Sequence, residues 1–206
     1  MNILFDVDGV LIDGWHADPA RRRPWDAMIE TDLGIDRDAF RRLFFDGPDS
    51  PMANCLVGRR DLRDALAAIL PRAGYRGRAA DVMRYWFQKD AAIDADTLRA
   101  AADIRGRSGI RLYLATNQEH HRAGHLWHDL GFSARFDGIF YSAAIGHTKA
   151  DGRFFQAVGR ALGPGRPLFF DDHAGAVAAA RDAGWDATVF ASVRDVLDHP
   201  RLRHLW

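Results

Sequence analysis

Five short apolar runs, three of them stopped abruptly by polar residues, govern what this chain can fold into. The first, Asn2–Phe5, ends at Asp6-Val7-Asp8-Gly9. Ile110–Ala115 stops at Thr116-Asn117, and Pro167–Phe170 stops at Asp171-Asp172. Gly138–Tyr141 and Ala187–Phe190 complete the set. Runs of this length bounded by turn residues read as buried strands. Between them the spacing predicts helices: one beginning at Asp96 or Thr97 and ending near Arg107, then Glu119–Leu130, Asp151–Leu162, Ala174–Ala183 and Ser192–Leu197. Strand and helix in alternation imply a parallel sheet covered on both faces.

The stretch between the first two strands breaks that rhythm. It reads as helical throughout: Pro19–Leu33 with Trp25, Met28 and Ile29 on its apolar face, Asp36–Phe45, Asp61–Leu70 and Arg78–Lys89. Asp46–Met52 is rich in turn residues. The fold class is therefore α/β, a Rossmann-like parallel sheet core with an inserted all-helical domain. Residues 1–14 and 93–206 are expected to form the core, and residues 15–92 the helical cap. With 206 residues the chain can bury a substantial core. The formal net charge of zero gives no global field favouring nucleic acid or an anionic membrane. The single cysteine, Cys55, rules out an internal disulfide and fits a reducing compartment. With no long apolar segment and no basic leader pattern, the expected location is cytoplasmic.

The polar strand ends carry the chemistry. In a parallel sheet the carboxyl ends of the strands share one edge, where ligands bind. Asp6, Asp8, Thr116, Asn117, Asp171 and Asp172 can converge there. Acidic pairs alone mean little in this chain. Only Glu30 and Glu119 among its 28 acidic residues are glutamates, so 26 are aspartates. Asp36-x-Asp38 and Asp94-x-Asp96 are expected to be helix caps or solvated turns. What sets Asp6-x-Asp8 apart is the strand before it and the glycine after it. Lys149 falls between the second and third polar ends. Lys89 and Lys149 are the only lysines among 28 basic residues, so a compact ammonium there stands out against the arginine bias.

Taken in order, these four signals resemble the haloacid dehalogenase superfamily of phosphohydrolases over nearly the whole chain. The matching motifs are Asp6-Val7-Asp8-Gly9-Val10-Leu11, Thr116-Asn117, Lys149 and Phe169-Phe170-Asp171-Asp172, the last running on through the helix to Trp185. The helical insertion is similar to the family's first cap type. The resemblance implies a Mg²⁺-dependent phosphatase acting on a small phosphorylated metabolite, nearest the members that act on sugar phosphates. Asp6 would attack phosphorus to give an aspartyl-phosphate, and Asp8 would serve as acid and base. Asp6, the Asp8 carbonyl and Asp171 would hold Mg²⁺. Thr116, Asn117 and Lys149 would bind the phosphoryl group, Lys149 would also bind the Asp6 carboxylate, and Asp172 would support metal waters or hold Lys149. Asp8 separates the chemistries: a halide leaves without a proton, an alkoxide does not, and dehalogenase members lack an aspartate at this position.

The chain departs from the family pattern at Ala150 and Gly152, where prolines are usual, at His173, where a small polar residue is usual, and at Ala176, where asparagine is common. Cap candidates for substrate contact are His16, Arg59 and Arg60, with solvated roles the alternative. Trp15, Trp25 and Trp86 are expected to pack the cap rather than stack on a sugar. His120, His121 and His147 show no metal-site spacing. A phosphomutase on the same scaffold, a catalytically silent binding scaffold and a receiver-type phosphoacceptor are the competing readings. The receiver reading suffers from the order of its motifs, since its acidic pair comes early and here it comes last.

Overall fold

A computed structural model describes residues 1–206. Five parallel strands, β1 (Asn2–Phe5), β2 (Arg111–Thr116), β3 (Gly138–Tyr141), β4 (Leu168–Asp171) and β5 (Asp186–Val189), lie in the order β3-β2-β1-β4-β5. The expected α/β sheet is present, with β1 at its centre. The direction of winding reverses beside β1, which makes the crevice above it the place for a ligand.

The period of two in a strand explains why both faces are apolar. Ile3 and Phe5 join Leu112, Leu114, Leu168 and Phe170 in one buried cluster. Leu4 points the other way, to Ala115, Phe155, Phe169 and Val177. Phe5 and Phe170 stack with ring centroids 5.4 Å apart.

The insertion comprises α1 (Ile29–Leu33), α2 (Arg37–Phe44), α3 (Pro51–Leu56), α4 (Leu62–Ile69) and α5 (Ala79–Lys89). They close on a core of their own running from Ile29 to Phe87, which includes Cys55. Asp36, Ser50 and Asp61 cap α2, α3 and α4 through their side chains. The two crossings to the sheet domain run side by side: Asp13 N donates to Ala92 O at 2.7 Å and Asp94 N to Leu11 O at 2.9 Å. The core helices follow as α6 (Ala95–Arg105), α7 (His120–Gly124), α8 (Ser142–Ile145), α9 (Gly152–Leu162), α10 (Ala174–Asp182) and α11 (Arg194–Leu197). No helix is long and apolar enough to cross a membrane.

Three local expectations are corrected. The helix expected over Pro19–Leu33 is only a 3₁₀ turn at Pro19–Arg21 and the short α1. Pro24 disfavours helix in the residue before it, and the chain is already extended at Arg22. Met28, assigned to the apolar face, is 52% exposed. The turn-rich segment hides α3, whose Ser50 cap and Pro51 first turn are a helix start. The helix from Glu119 is α-helical only to Gly124 and continues as a π turn, His125–Asp129.

Candidate active site

Asp6 extends the ladder one residue beyond β1, its N–H donating to Phe170 O at 2.9 Å. Asp171 ends β4. The two carboxylates therefore leave adjacent strands on the same edge, and Asp172 follows. All three are buried, and one carboxylate oxygen from each lies within 4.8 Å of the others. Lys149 Nζ sits between Asp6 Oδ1 at 2.6 Å and Asp171 Oδ2 at 2.7 Å. Burial opposes the lysine's charge, but the Asp171 and Asp6 carboxylates outweigh it and raise its pKa. Burial pushes the Asp6 carboxyl well up; Lys149 pulls it back, and Asp171 and Asp8 add to the rise. Three carboxylates facing one ammonium leave excess negative charge in a buried site, and Asp172 Oδ1 has no hydrogen-bond partner. That donor set, all oxygen and under-neutralised, fits a hard divalent cation.

Asp172 does not make the contact with Lys149 that was one of its two expected roles. Lys149 bonds Asp171, not Asp172. Asp172 Oδ2 instead accepts the N–H of Ala17 at 2.6 Å, tying down the loop that leaves β1. Its close neighbour is Gly9, at φ +80°. A β-carbon on Gly9 would fall 2.6 Å from Asp172 Cγ, so this glycine serves both the turn and the carboxylate's approach.

Asp8 shares the cavity with Asp6. Gln118 Nε2 donates to Asp8 Oδ2 at 2.6 Å, and Arg122 Nη2 stands 3.5 Å from Oδ1. Arg122 is itself buried, donating to Asp90 O at 2.7 Å and pairing with Asp90 Oδ2 at 3.1 Å. Trp86 Nε1 donates to the same Asp90 oxygen at 3.3 Å. Burial, and secondarily the charge of Asp8, push the Asp90 carboxyl up to about 6 against the pull of Arg122. Gln118, Arg122 and Asp90 escaped the sequence reading. Gln118 follows the polar pair directly and could have been included with it. Arg122 is one arginine of 26 and carried no signal.

Thr116 and Asn117 line the same cavity. Asn117 Oδ1 accepts the N–H of Lys149 at 2.8 Å, so this side chain also positions the lysine loop. Of the departures, His173 caps α10, its Nδ1 accepting from Ala176 N at 3.4 Å. Ala150 and Ala176 line the cavity, and Gly152 begins α9 under the Asp151 cap.

Of the cap candidates, only His16 comes near the site's carboxylates. His16 Nδ1 accepts the N–H of Asp18 at 2.9 Å and lies 3.6 Å from Asp172 Oδ2, a place in the loop's own turn and not in the cavity lining. Arg59 lines a separate recess with His147 and Asp151, and Arg60 lines neither. The residue beside them matters more for docking. Gly58, at φ +70°, passes so near Ala143 O of the core that a β-carbon would collide with it. His121 Nε2 pairs with Asp61 Oδ2 at 2.7 Å across the same seam. The Cys55 thiol is buried and pushed up to about 11, chiefly by burial, which makes it an inert packing group.

A parallel sheet whose central strand ends in a buried aspartate, with a lysine and two further aspartates around it and a helical insertion above, defines a class of hydrolases. The family model for haloacid dehalogenase-like hydrolases matches residues 1–184, and the chain belongs to that family. No curated protein matches the sequence. Among solved structures, the HAD family enzyme bt-2542 from Bacteroides thetaiotaomicron, in complex with magnesium and inorganic phosphate, superposes with a TM-score of 0.73 at 16% identity. That match covers 92% of this chain and 93% of the other. A predicted HAD-like family hydrolase from Porphyromonas gingivalis gives 0.67 at 19% identity, covering 91% and 89%. The L-2-haloacid dehalogenase from Xanthobacter autotrophicus gives 0.57 at 18%, covering 90% and 75%. At these identities the likeness is one of fold, and it spans enzymes of different chemistry.

Proposed function

We propose that this hydrolase is a Mg²⁺-dependent phosphatase that cleaves a phosphate monoester of a small metabolite through an aspartyl-phosphate on Asp6. The observation that carries the reading is the Asp8 carboxylate, which faces the same cavity as Asp6 and is held by Gln118 and Arg122. A carboxylic acid so placed serves an alkoxide leaving group and has no task with a halide. The phosphate and magnesium of the bt-2542 complex agree with this choice. The core is taken as residues 1–14 and 93–206 and the cap as 15–92, divided where the paired crossings at Leu11–Asp13 and Ala92–Asp94 meet.

In the first step an Asp6 oxygen forms a bond to phosphorus while the bond to the leaving oxygen breaks, and Asp8 gives that oxygen its proton. In the second, Asp8 takes a proton from water as the water attacks phosphorus, freeing Asp6 and inorganic phosphate. Lys149 holds Asp6 in line and neutralises phosphoryl charge; Thr116 and Asn117 donate to the phosphoryl oxygens. Asp6, Asp171 and the Asp8 carbonyl would hold Mg²⁺, which supplies further charge neutralisation. The test is phosphate release from a panel of phosphate monoesters with Mg²⁺ or EDTA. Metal-dependent release that Asp6→Asn abolishes, and that Asp8→Asn slows at both steps, is the expected result. No release by folded enzyme, or full turnover by Asp6→Asn, would overturn it.

A further inference from the structure

The cavity above Asp6 encloses about 670 Å³, the size of a small-molecule site. Its far wall comes from the loop after β1 and from the cap, and the composition of that wall is specific. Trp15, Trp25, Phe45 and Trp86 supply rings, with Met52 and Leu56 between them. Trp25 and Trp86 stack with centroids 4.6 Å apart, each giving one face to the other, which fixes their positions in the wall. Trp15 is 50% exposed, a large ring left open beside the cavity.

The charged side chains on this wall are three arginines, Arg22, Arg23 and Arg41, and two aspartates, Asp26 and Asp90. Arg22 lies over the Trp15 ring at 4.9 Å and is anchored by its Nε donating to His16 O at 2.7 Å. The Arg23 side chain is 71% exposed and has only Asp13 near it, at 3.7 Å. Of the two acidic residues the cap wall contributes, Asp26 is buried and already shared between Arg37 Nη2 at 3.1 Å and Arg41 Nη1 at 2.9 Å. At the seam, Asp90 Oδ1 is shut against Gly14. No serine, threonine, asparagine or glutamine of the cap lines the cavity.

A sugar brings several hydroxyls, each needing donors and acceptors, and buried hydroxyls left unpaired are costly. This wall offers them aromatic faces and charge. We propose, resting on the phosphatase reading, that the leaving group this cavity accommodates is aromatic or similarly flat and apolar, and that it carries a second anionic group toward Arg22 and Arg23. This reading departs from the sugar-phosphate preference that the family resemblance implied. Trp15, Arg22 and Arg23 are the residues that set specificity, while Asp6, Asp8 and Lys149 treat all monoesters alike.

The experiment compares benzyl phosphate, 4-carboxybenzyl phosphate and glucose 6-phosphate. All three release a primary alkoxide, so differences in kcat/KM report the cavity and not the leaving group's basicity. In parallel, binding of benzylphosphonate and 4-carboxybenzylphosphonate is followed by quenching of tryptophan fluorescence, which needs no turnover. The expected order is carboxybenzyl, then benzyl, then glucose, with benzyl ahead of glucose by ~10-fold or more from ring burial and stacking. Trp15→Ala should shrink the benzyl-to-glucose ratio. Arg23→Ala, at an exposed and loosely paired position, should shrink the carboxybenzyl-to-benzyl ratio alone. Glucose 6-phosphate cleaved as well as benzyl phosphate, or ratios unmoved by both variants, would overturn the proposal. Tight phosphonate binding without release of phosphate from any monoester would instead sink the phosphatase reading and leave the cavity's preference standing. Absence of both would remove the two together.

Discussion

Replacing Arg122 by Met should destabilise the fold by an amount that depends on pH in a calculable way. Arg122 and Asp90 are 2% and 6% exposed, so solvent screens neither. Part of the loss does not titrate: the charged hydrogen bond to Asp90 O, 2.7 Å long, is worth ~1.5–3 kcal/mol. The remainder comes from the Asp90 carboxyl, pushed up to about 6 by burial and by Asp8 while Arg122 pulls it down. Without the guanidinium it rises further. The sign follows from linkage. A carboxyl whose folded pKa is raised costs stability as pH climbs above its unfolded value, because the folded state retains a proton that the unfolded state releases. At pH 5 the wild-type carboxyl is already largely protonated, so a further rise costs little. At pH 8 the wild-type carboxyl is ionised, so each unit of further rise costs up to ~1.4 kcal/mol. Urea denaturation of wild type and variant at both pH values, with m unchanged, should therefore show a loss of ~1.5–3 kcal/mol at pH 5 and a loss larger by ~1 kcal/mol or more at pH 8. Asp90→Asn should erase the pH-dependent part, so that adding Arg122→Met in that background costs the same at both. An equal loss at pH 5 and 8, or a pH-dependent loss surviving in the Asp90→Asn background, would refute this account of the pair.

Other outcomes follow from the same geometry. Gly58→Ala places a β-carbon against Ala143 O at a left-handed φ, so it should lower stability by ~1–2 kcal/mol from backbone strain alone and loosen the seam between cap and core, read as faster amide exchange around α3 and α8. Gly9→Ala should abolish activity while leaving a folded protein by circular dichroism, because the β-carbon displaces Asp172 and with it the loop held through Ala17. Mg²⁺ at 100 times its dissociation constant should stabilise the fold by ~2.7 kcal/mol, and Asp171→Asn should reduce that gain. A melting temperature unmoved by Mg²⁺ or EDTA would remove the metal from the site.

The sheet was legible because a parallel strand buried on both faces leaves little choice of residue. Ile3, Leu4 and Phe5 have no exposure, and no polar side chain could take their places cheaply. Helix ends were legible where a side chain caps them, as at Asp36 and Asp61, which accept from Ala39 N and from Arg63 N. The failures share a cause: local signals that tertiary contacts outweigh. Trp25 and Ile29 follow a helical spacing, yet Trp25 enters the cap as a ring stacked on Trp86 and the helix begins only at Ile29.

The site divides along the same line. Asp6, Asp8, Thr116, Lys149 and Asp171 could be read because each stands at or near the end of a strand, or on a loop at that edge, and the sheet's parallel order brings such ends together. Asp172 was read as part of the same pair but its partner was not, because side chains at successive positions diverge. Asp171 turns to Lys149, whereas Asp172 turns to Ala17 and secures the segment that carries Trp15. The chain from Trp86 through Asp90 and Arg122 to Asp8 could not be read as a unit, since only Trp86 and Asp90 share a helix end, and Arg122 and Asp8 join them from other elements through ion pairs. That chain starts at the wall that would meet the leaving group and ends at the acid that would protonate it. A leaving group seated against Trp86 thus rests on the same scaffold that orients Asp8, so a poorly fitting substrate should lose kcat as well as raise KM. A purely passive pocket would change KM alone, and the kcat of glucose 6-phosphate against that of benzyl phosphate separates the two.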